Sequence, residues 1–143
     1  MSNWNWLGST YALQRDAFGR VLPITDPEQL ADFVVMNHTS LITELTEFMN
    51  EVGWKNWTSD RGWVNRDQAV GELVDVAHFL ANLACALGVT DDEWERRYRA
   101  KQDVNRTRQR SGYDGVSNKC LRCKRDLNEV KHDPVSRICA LCG

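Results

Sequence analysis

Two stretches, Leu41-Ile-Thr-Glu-Leu-Thr-Glu-Phe48 and Gly71-Glu-Leu-Val-Asp-Val-Ala-His-Phe-Leu80, decide how this chain folds. At about 100° per residue, Glu44, Glu47 and Glu51 share a sector roughly 60° wide, beside an apolar arc of Leu41, Leu45, Phe48 and Val52. In the second stretch and just beyond it, Glu72, Asp75, Phe79 and Asn82 fall within roughly 80° and flank Leu73, Val76, Leu80, Leu83 and Leu87. Each stretch reads as an amphipathic helix whose acidic edge borders its core face, so two acidic edges can face each other across a bundle. Carboxylates so crowded repel one another until an oxygen-seeking divalent cation, Mg²⁺ or Mn²⁺, neutralises them. Taken alone, the spacing fits ordinary helices with solvated glutamates equally well.

Outward from these stretches, Thr25 or Asp26 can cap the first helix, with Pro27 in its first turn, and the helix is expected to run to about Val52 and stop at Gly53. Between Gly53 and Asn65 lies a segment too rich in glycine, tryptophan and polar residues for a helix or strand core. Asn65 can cap the second helix, which ends at Gly88. Thr90 and Glu93 then form a capping box for a helix reaching about Arg110. Its sector of Trp94, Tyr98, Lys101, Asn105 and Arg108 spans roughly 80°, and three donors on one face suit a polyphosphate. Arg96, Arg97, Arg99 and Arg106 lie on other sectors and read as solvated. A shorter helix around Ser9 to Ala17 precedes all of these and ends near Gly19. The fold class expected is all-α, a helical bundle with no strand before residue 116. Three long helices do not close a four-helix bundle, so completion by a homo-oligomer, a dimer first, is expected.

Composition sets the outer limits. The chain has 143 residues, of which 42% are hydrophobic, and a formal charge of −2. Residues 1–115 suit one domain and 116–143 a small appendage, because the appendage holds six basic against three acidic side chains while the body is acidic. There is no run of 18 apolar residues, and the opening Met1-Ser-Asn-Trp-Asn-Trp6 lacks the basic and apolar regions of a signal peptide. A cytosolic protein with no membrane partner is the expectation.

Four blocks now carry a resemblance: Glu44-x-x-Glu47; Trp54-Lys55-Asn56-Trp57; Glu72-x-x-Asp75-x-x-His78-Phe79; and Lys101-x-x-x-Asn105-x-x-Arg108-Gln109-x-x-Gly112-Tyr113. In this order and spacing they resemble the all-α nucleoside triphosphate pyrophosphohydrolases over about residues 10–114, most closely the dimeric dUTPase branch, with MazG-like enzymes as cousins. The resemblance implies Mg²⁺ held by Glu44, Glu47, Glu72 and Asp75, with Glu47 orienting or deprotonating the attacking water. It implies phosphates gripped by Lys101, Asn105, Arg108 and Tyr113 with help from Lys55, and a base held by Gln14, Trp54, His78, Phe79 and Asn82. The products would be a nucleoside monophosphate and pyrophosphate, with attack at the β-phosphorus. Family members often carry asparagine three residues after the early glutamine; here that position is Ala17, which leaves uracil selectivity open. dUTP is the first substrate expected, and a broader MazG-like or dCTP-directed enzyme the alternative. From another class comes a zinc-ribbon adaptor that binds nucleotides or nucleic acid without turnover. A compact enzyme with an attached ribbon would also suit a bacterial virus.

The appendage reads Cys120-x-x-Cys123, then fifteen residues, then Cys139-x-x-Cys142. In a reducing compartment this spacing is a zinc signature, since two tight turns can deliver four thiolates tetrahedrally. All four cysteines would be committed as ligands, which favours a structural Zn²⁺ over a catalytic one. Lys119, Arg122, Lys124, Arg125, Lys131 and Arg137 invite an acidic partner, but a zinc with four thiolates contributes −2 and reduces that charge, so nucleic acid is not the favoured partner. Cys85, among small apolar residues on a helix, reads as a buried inert thiol.

Overall fold

Asn5 starts the first helix, α1 (Trp6–Phe18), by accepting a hydrogen bond from the Gly8 N–H at 2.8 Å in the computed structural model. The structure describes residues 5–110 and, in the tail, 119, 120, 122, 123, 125, 127, 131 and 138–142. α1 extends beyond the expected Ser9–Ala17 at both ends, because Asn5 caps it and Gly19 closes it. Gly19 has φ 62°, a left-handed conformation in which its N–H reaches back to the Gln14 and Arg15 carbonyls without a Cβ clash.

Helix α2 (Pro27–Asn50) begins as its sequence requires: Asp26 accepts from the Gln29 N–H at 2.8 Å, and Pro27 fills the first turn where no donor is needed. It ends two residues before Val52. The cause is the following loop, whose return limb competes for the backbone. Val52 pairs with Val64 in an antiparallel bridge, Gly53 N–H donates to Trp63 O at 2.6 Å, and Asn65 N–H donates to Glu51 O at 2.9 Å. A Cβ at Gly53 would collide with the Asp60 carbonyl, so the loop closes only around glycine.

Helix α3 (Arg66–Ala86) follows from Asn65, which sits at the N-cap without a side-chain cap bond, and α4 (Asp91–Arg110) follows from Thr90, whose hydroxyl accepts from the Glu93 N–H at 3.3 Å. Among the described residues β pairing is confined to isolated bridges, at Val52–Val64 and at Lys119 and Cys139 in the tail, and no strand is present.

α3 is the centre of the packing, contacting both α2 and α1. Ala81, Ala84 and Cys85 present a small-residue surface that lets Leu7 of α1 become fully buried, with Trp6, Tyr11, Leu22, Val89 and Trp94 around it. Burying a leucine of this kind contributes about 1.5–3 kcal/mol. The polar atoms at this contact are matched. The Tyr11 hydroxyl lies 3.2 Å from the carbonyls of both Cys85 and Val89. Asp91 accepts from the Leu7 and Gly8 N–H groups at 3.0 Å each, placing a carboxylate at the positive end of the α1 dipole. Trp6 and Trp94 meet edge to face at 5.4 Å, which holds the start of α4 to α1.

Contacts group the chain into two compact units, the first ending at Tyr98 and the second beginning at Arg99, so that the division falls within α4. In the first unit, the apolar arc expected to be core is only partly covered. Leu73, Leu80 and Leu87 are 44%, 37% and 66% exposed, because α1 and α2 together cover only part of the circumference of α3. α3 reaches a mean hydropathy of 1.3 over an 18-residue window, enough by length and composition to cross a membrane. Glu72 and Asp75 nevertheless lie on it beside Glu44 of α2, as in an amphipathic helix of a protein core.

Candidate active site

Helical periodicity aims Glu44 of α2 at the α3 edge that carries Glu72 and, one turn on, Asp75. One oxygen from each of these three carboxylates lies within 4.8 Å of the others. Glu44 and Glu72 are half-buried and Asp75 is exposed, so the group opens to solvent on one side. Burial pushes the Glu44 carboxyl up from its ordinary range, and the neighbouring charges of Glu47, Asp75 and Glu72 push it further in the same direction. A raised carboxyl pKa means that the folded chain holds this proton more tightly than the unfolded chain. The associated stability is fully present below the ordinary glutamate pKa and is lost as pH rises through the raised value. At neutral pH the ionised Glu44 therefore opposes folding, and a cation bound beside it would relieve that cost. Three hard oxygen donors from two helices fit Mg²⁺ or Mn²⁺ rather than a thiophilic metal.

Glu47 is exposed and lies outside this group of three, although its charge is felt by Glu44. The structure thus gathers three of the four carboxylates expected to hold metal and leaves the fourth beside them. His78 is exposed, with Nδ1 3.7 Å from Asp75 Oδ1, an ion pair when the ring is protonated. Phe79 is half-buried on the same helix.

Gln14 and Asn82, 68 residues apart, meet directly: Gln14 Nε2 donates to Asn82 Oδ1 at 2.9 Å. Asn82 Nδ2 in turn donates to Asn37 Oδ1 at 2.9 Å. Asn37, which sequence reasoning missed, is 1% exposed. The signal for it was present, since it lies four residues from both Phe33 and Leu41 and is a lone carboxamide on an apolar helix face.

Trp54 and Lys55 lie in the loop after α2, where they line a small open recess with Met49, Val52, Thr58 and Asp60. Trp54 packs edge to face on Trp57 at 5.9 Å, and Lys55 Nζ stands 5.9 Å from the Trp54 ring centroid. The Thr58 hydroxyl, the backbone N–H of Asp60 and the Lys55 charge hold the Asp60 carboxyl below its usual range. Lys101 and Asn105 are exposed on α4, where Arg108 is half-buried and engaged by a partner. These three belong to the second unit. Tyr113, together with Lys124 and Arg137, lies outside the described residues.

In the tail, the four sulfurs of Cys120, Cys123, Cys139 and Cys142 lie within 4.8 Å of one another. Cys120 and Cys139 are buried against Leu127, and the Cys139 N–H points at the Cys120 sulfur at 3.4 Å. Backbone N–H groups, that of Cys123 foremost, hold the Cys120 thiol down at about 6, whereas hydrogen bonding among the sulfurs, to Cys123 first, pushes Cys142 up to about 12. A four-sulfur donor set at this mutual reach fits Zn²⁺ and could form a zinc ribbon. Cys85 is a different case. It is fully buried, burial pushes its thiol up to about 11, and it serves as packing rather than as a nucleophile.

The family model described as dUTPase matches residues 24–91. That segment contains Glu44, Glu47, Lys55, Glu72, Asp75, His78, Phe79 and Asn82, and it excludes Gln14, the cations of α4 and the cysteine tail. No curated protein and no solved structure matches the chain. The match over residues 24–91, the four helices and the trio of carboxylates inside the matched segment together fit a dUTPase-like, MazG-related all-α nucleoside triphosphate pyrophosphohydrolase.

Proposed function

We propose that the protein is a magnesium-dependent pyrophosphohydrolase that converts dUTP to dUMP and pyrophosphate. The observation that carries this reading is the convergence of Glu44, Glu72 and Asp75 from two helices within the family-matched segment. Magnesium held there would neutralise the triphosphate and polarise its phosphorus–oxygen bonds. Glu47, close enough to raise Glu44 yet outside the trio, is left to accept a proton from water as its oxygen bonds to the β-phosphorus. The bond to the α,β-bridging oxygen breaks, and that oxygen leaves with the monophosphate. Lys101, Asn105 and Arg108, with Lys55 and Tyr113, are assigned to the phosphates, and the positive charge of Lys55, Lys101 and Arg108 offsets what develops on the leaving group. Gln14, Trp54, His78, Phe79 and Asn82 are assigned to the base.

Residues 1–115 form the catalytic domain in this reading, and 116–143 a module whose Zn²⁺, on four cysteines, is structural. The exposed Leu73 and Leu80 of α3, together with Val35 and Ile42 of α2, are covered by a second copy of the chain. Light scattering on the full-length protein should then give at least twice the chain mass of 16.4 kDa, and a monomer at micromolar concentration would refute the dimer.

Pyrophosphate release from dUTP, dCTP and dTTP, with Mg²⁺ and with EDTA, tests the activity. Fastest release from dUTP, abolished by EDTA, is expected. Equal release from all three would favour the broader enzyme that Ala17 allows, and silence with every nucleotide would favour the adaptor.

A further inference from the structure

Three carboxamides and two end groups form one hydrogen-bonded ladder through the first unit. Arg20 Nη1 lies 3.5 Å from Gln14 Oε1; Gln14 Nε2 donates to Asn82 Oδ1 at 2.9 Å; Asn82 Nδ2 donates to Asn37 Oδ1 at 2.9 Å; and Asn37 Nδ2 donates to the Phe33 carbonyl at 2.8 Å. Arg20 also stands over the Phe33 ring, 5.2 Å from its centroid, which holds the guanidinium at the ladder's end. Gln14 and Asn37 are 3% and 1% exposed, so water is a poor substitute for these bonds.

The ends dictate the direction. A guanidinium can only donate and a backbone carbonyl can only accept, so each amide between them has one way to point that satisfies both neighbours. Reversing any one of them would set nitrogen against nitrogen or oxygen against oxygen at two junctions. Each amide nitrogen uses one of its two hydrogens in the ladder, which leaves one N–H on Gln14 and one on Asn82 for a ligand. We infer that Arg20 and Asn37 are positioning residues that fix the donor and acceptor polarity of Gln14 and Asn82, and thereby determine which base edge the site accepts. This rests on the reading of Gln14 and Asn82 as base-contacting groups. Arg20 is exposed, so it can be changed without opening the core.

The test compares the Kd of the non-hydrolysable α,β-imido analogues of dUTP and dCTP for wild type, Arg20→Lys, Arg20→Glu and Asn37→Ala, with far-UV circular dichroism on each and pyrophosphate release from dUTP on wild type. Lysine still only donates, so Arg20→Lys should keep the wild-type ratio of the two constants. Glutamate only accepts, which sets the two ends of the ladder in conflict, and Arg20→Glu should compress the ratio roughly tenfold with unchanged helicity. Asn37→Ala frees the far end and should compress it by a similar factor. A ratio unchanged in both Arg20→Glu and Asn37→Ala, or no binding of either analogue by wild type, overturns the inference. A ratio that shifts while wild type releases no pyrophosphate sinks the hydrolase reading and leaves the ladder standing.

Discussion

Asp75→Asn is expected to lower pyrophosphate release from dUTP by about 10²–10³-fold. Asparagine has almost the shape of aspartate, but it brings no negative charge to a cation and offers one acceptor oxygen in place of two. Asp75 is exposed at the open side of the trio, and no buried apolar contact depends on it. Removing its charge also relieves Glu44, whose carboxyl it helps to push upward. The α-helical circular dichroism and the melting temperature should therefore hold or rise while turnover falls. That combination separates a loss of chemistry from a loss of fold, and retained turnover in a folded Asp75→Asn protein would remove the trio from the mechanism.

The second large effect concerns the tail. Cys120→Ser is expected to reduce bound zinc from one per chain to well below half and to unfold the tail while the helical signal stays. The described part of the tail buries little besides Leu127 and the cysteines themselves, so metal ligation has to supply its folding free energy, about 10–16 kcal/mol for a four-ligand zinc site. Backbone N–H groups hold the Cys120 thiol near 6, and replacing it removes the sulfur at which the Cys139 N–H points. Metal analysis together with limited proteolysis reads both consequences. A variant that keeps a full zinc and a protease-resistant tail would contradict a four-cysteine site.

Much of the body was legible because helical period converts spacing into direction. Glu44, Glu72 and Asp75 needed only that conversion to be placed on facing edges, and Asp26, Pro27, Gly19 and Thr90 announce helix ends through local hydrogen bonding that does not depend on the rest of the fold. The cysteine spacing was legible for the same local reason. Periodicity says which face is apolar but not what covers it, and so Leu73, Leu80 and Leu87 read as core although the described helices leave them partly open. It also could not see that the loop return at Val64 would stop α2 at Asn50, since that bridge depends on a connection of eleven residues between its partners. Glu47 shows a finer limit. It shares the Glu44 sector, but convergence of oxygens requires the right height along the helix as well as the right angle, and only three carboxylates meet that condition. The Gln14–Asn82–Asn37 ladder joins three helices, and its members are neighbours only once those helices have packed.

The central claim is that the carboxylates of α2 and α3 bind a divalent cation together with a nucleotide. Electron paramagnetic resonance titration of Mn²⁺ into the full-length protein, with and without α,β-imido-dUTP, tests it most directly. Wild type should bind Mn²⁺ more tightly with the analogue present, and binding should weaken as pH falls toward the raised Glu44 pKa, where protons compete for the site. Glu44→Gln should bind weakly at every pH. Equal Mn²⁺ affinity in wild type and Glu44→Gln, indifferent to nucleotide and to pH, would contradict it.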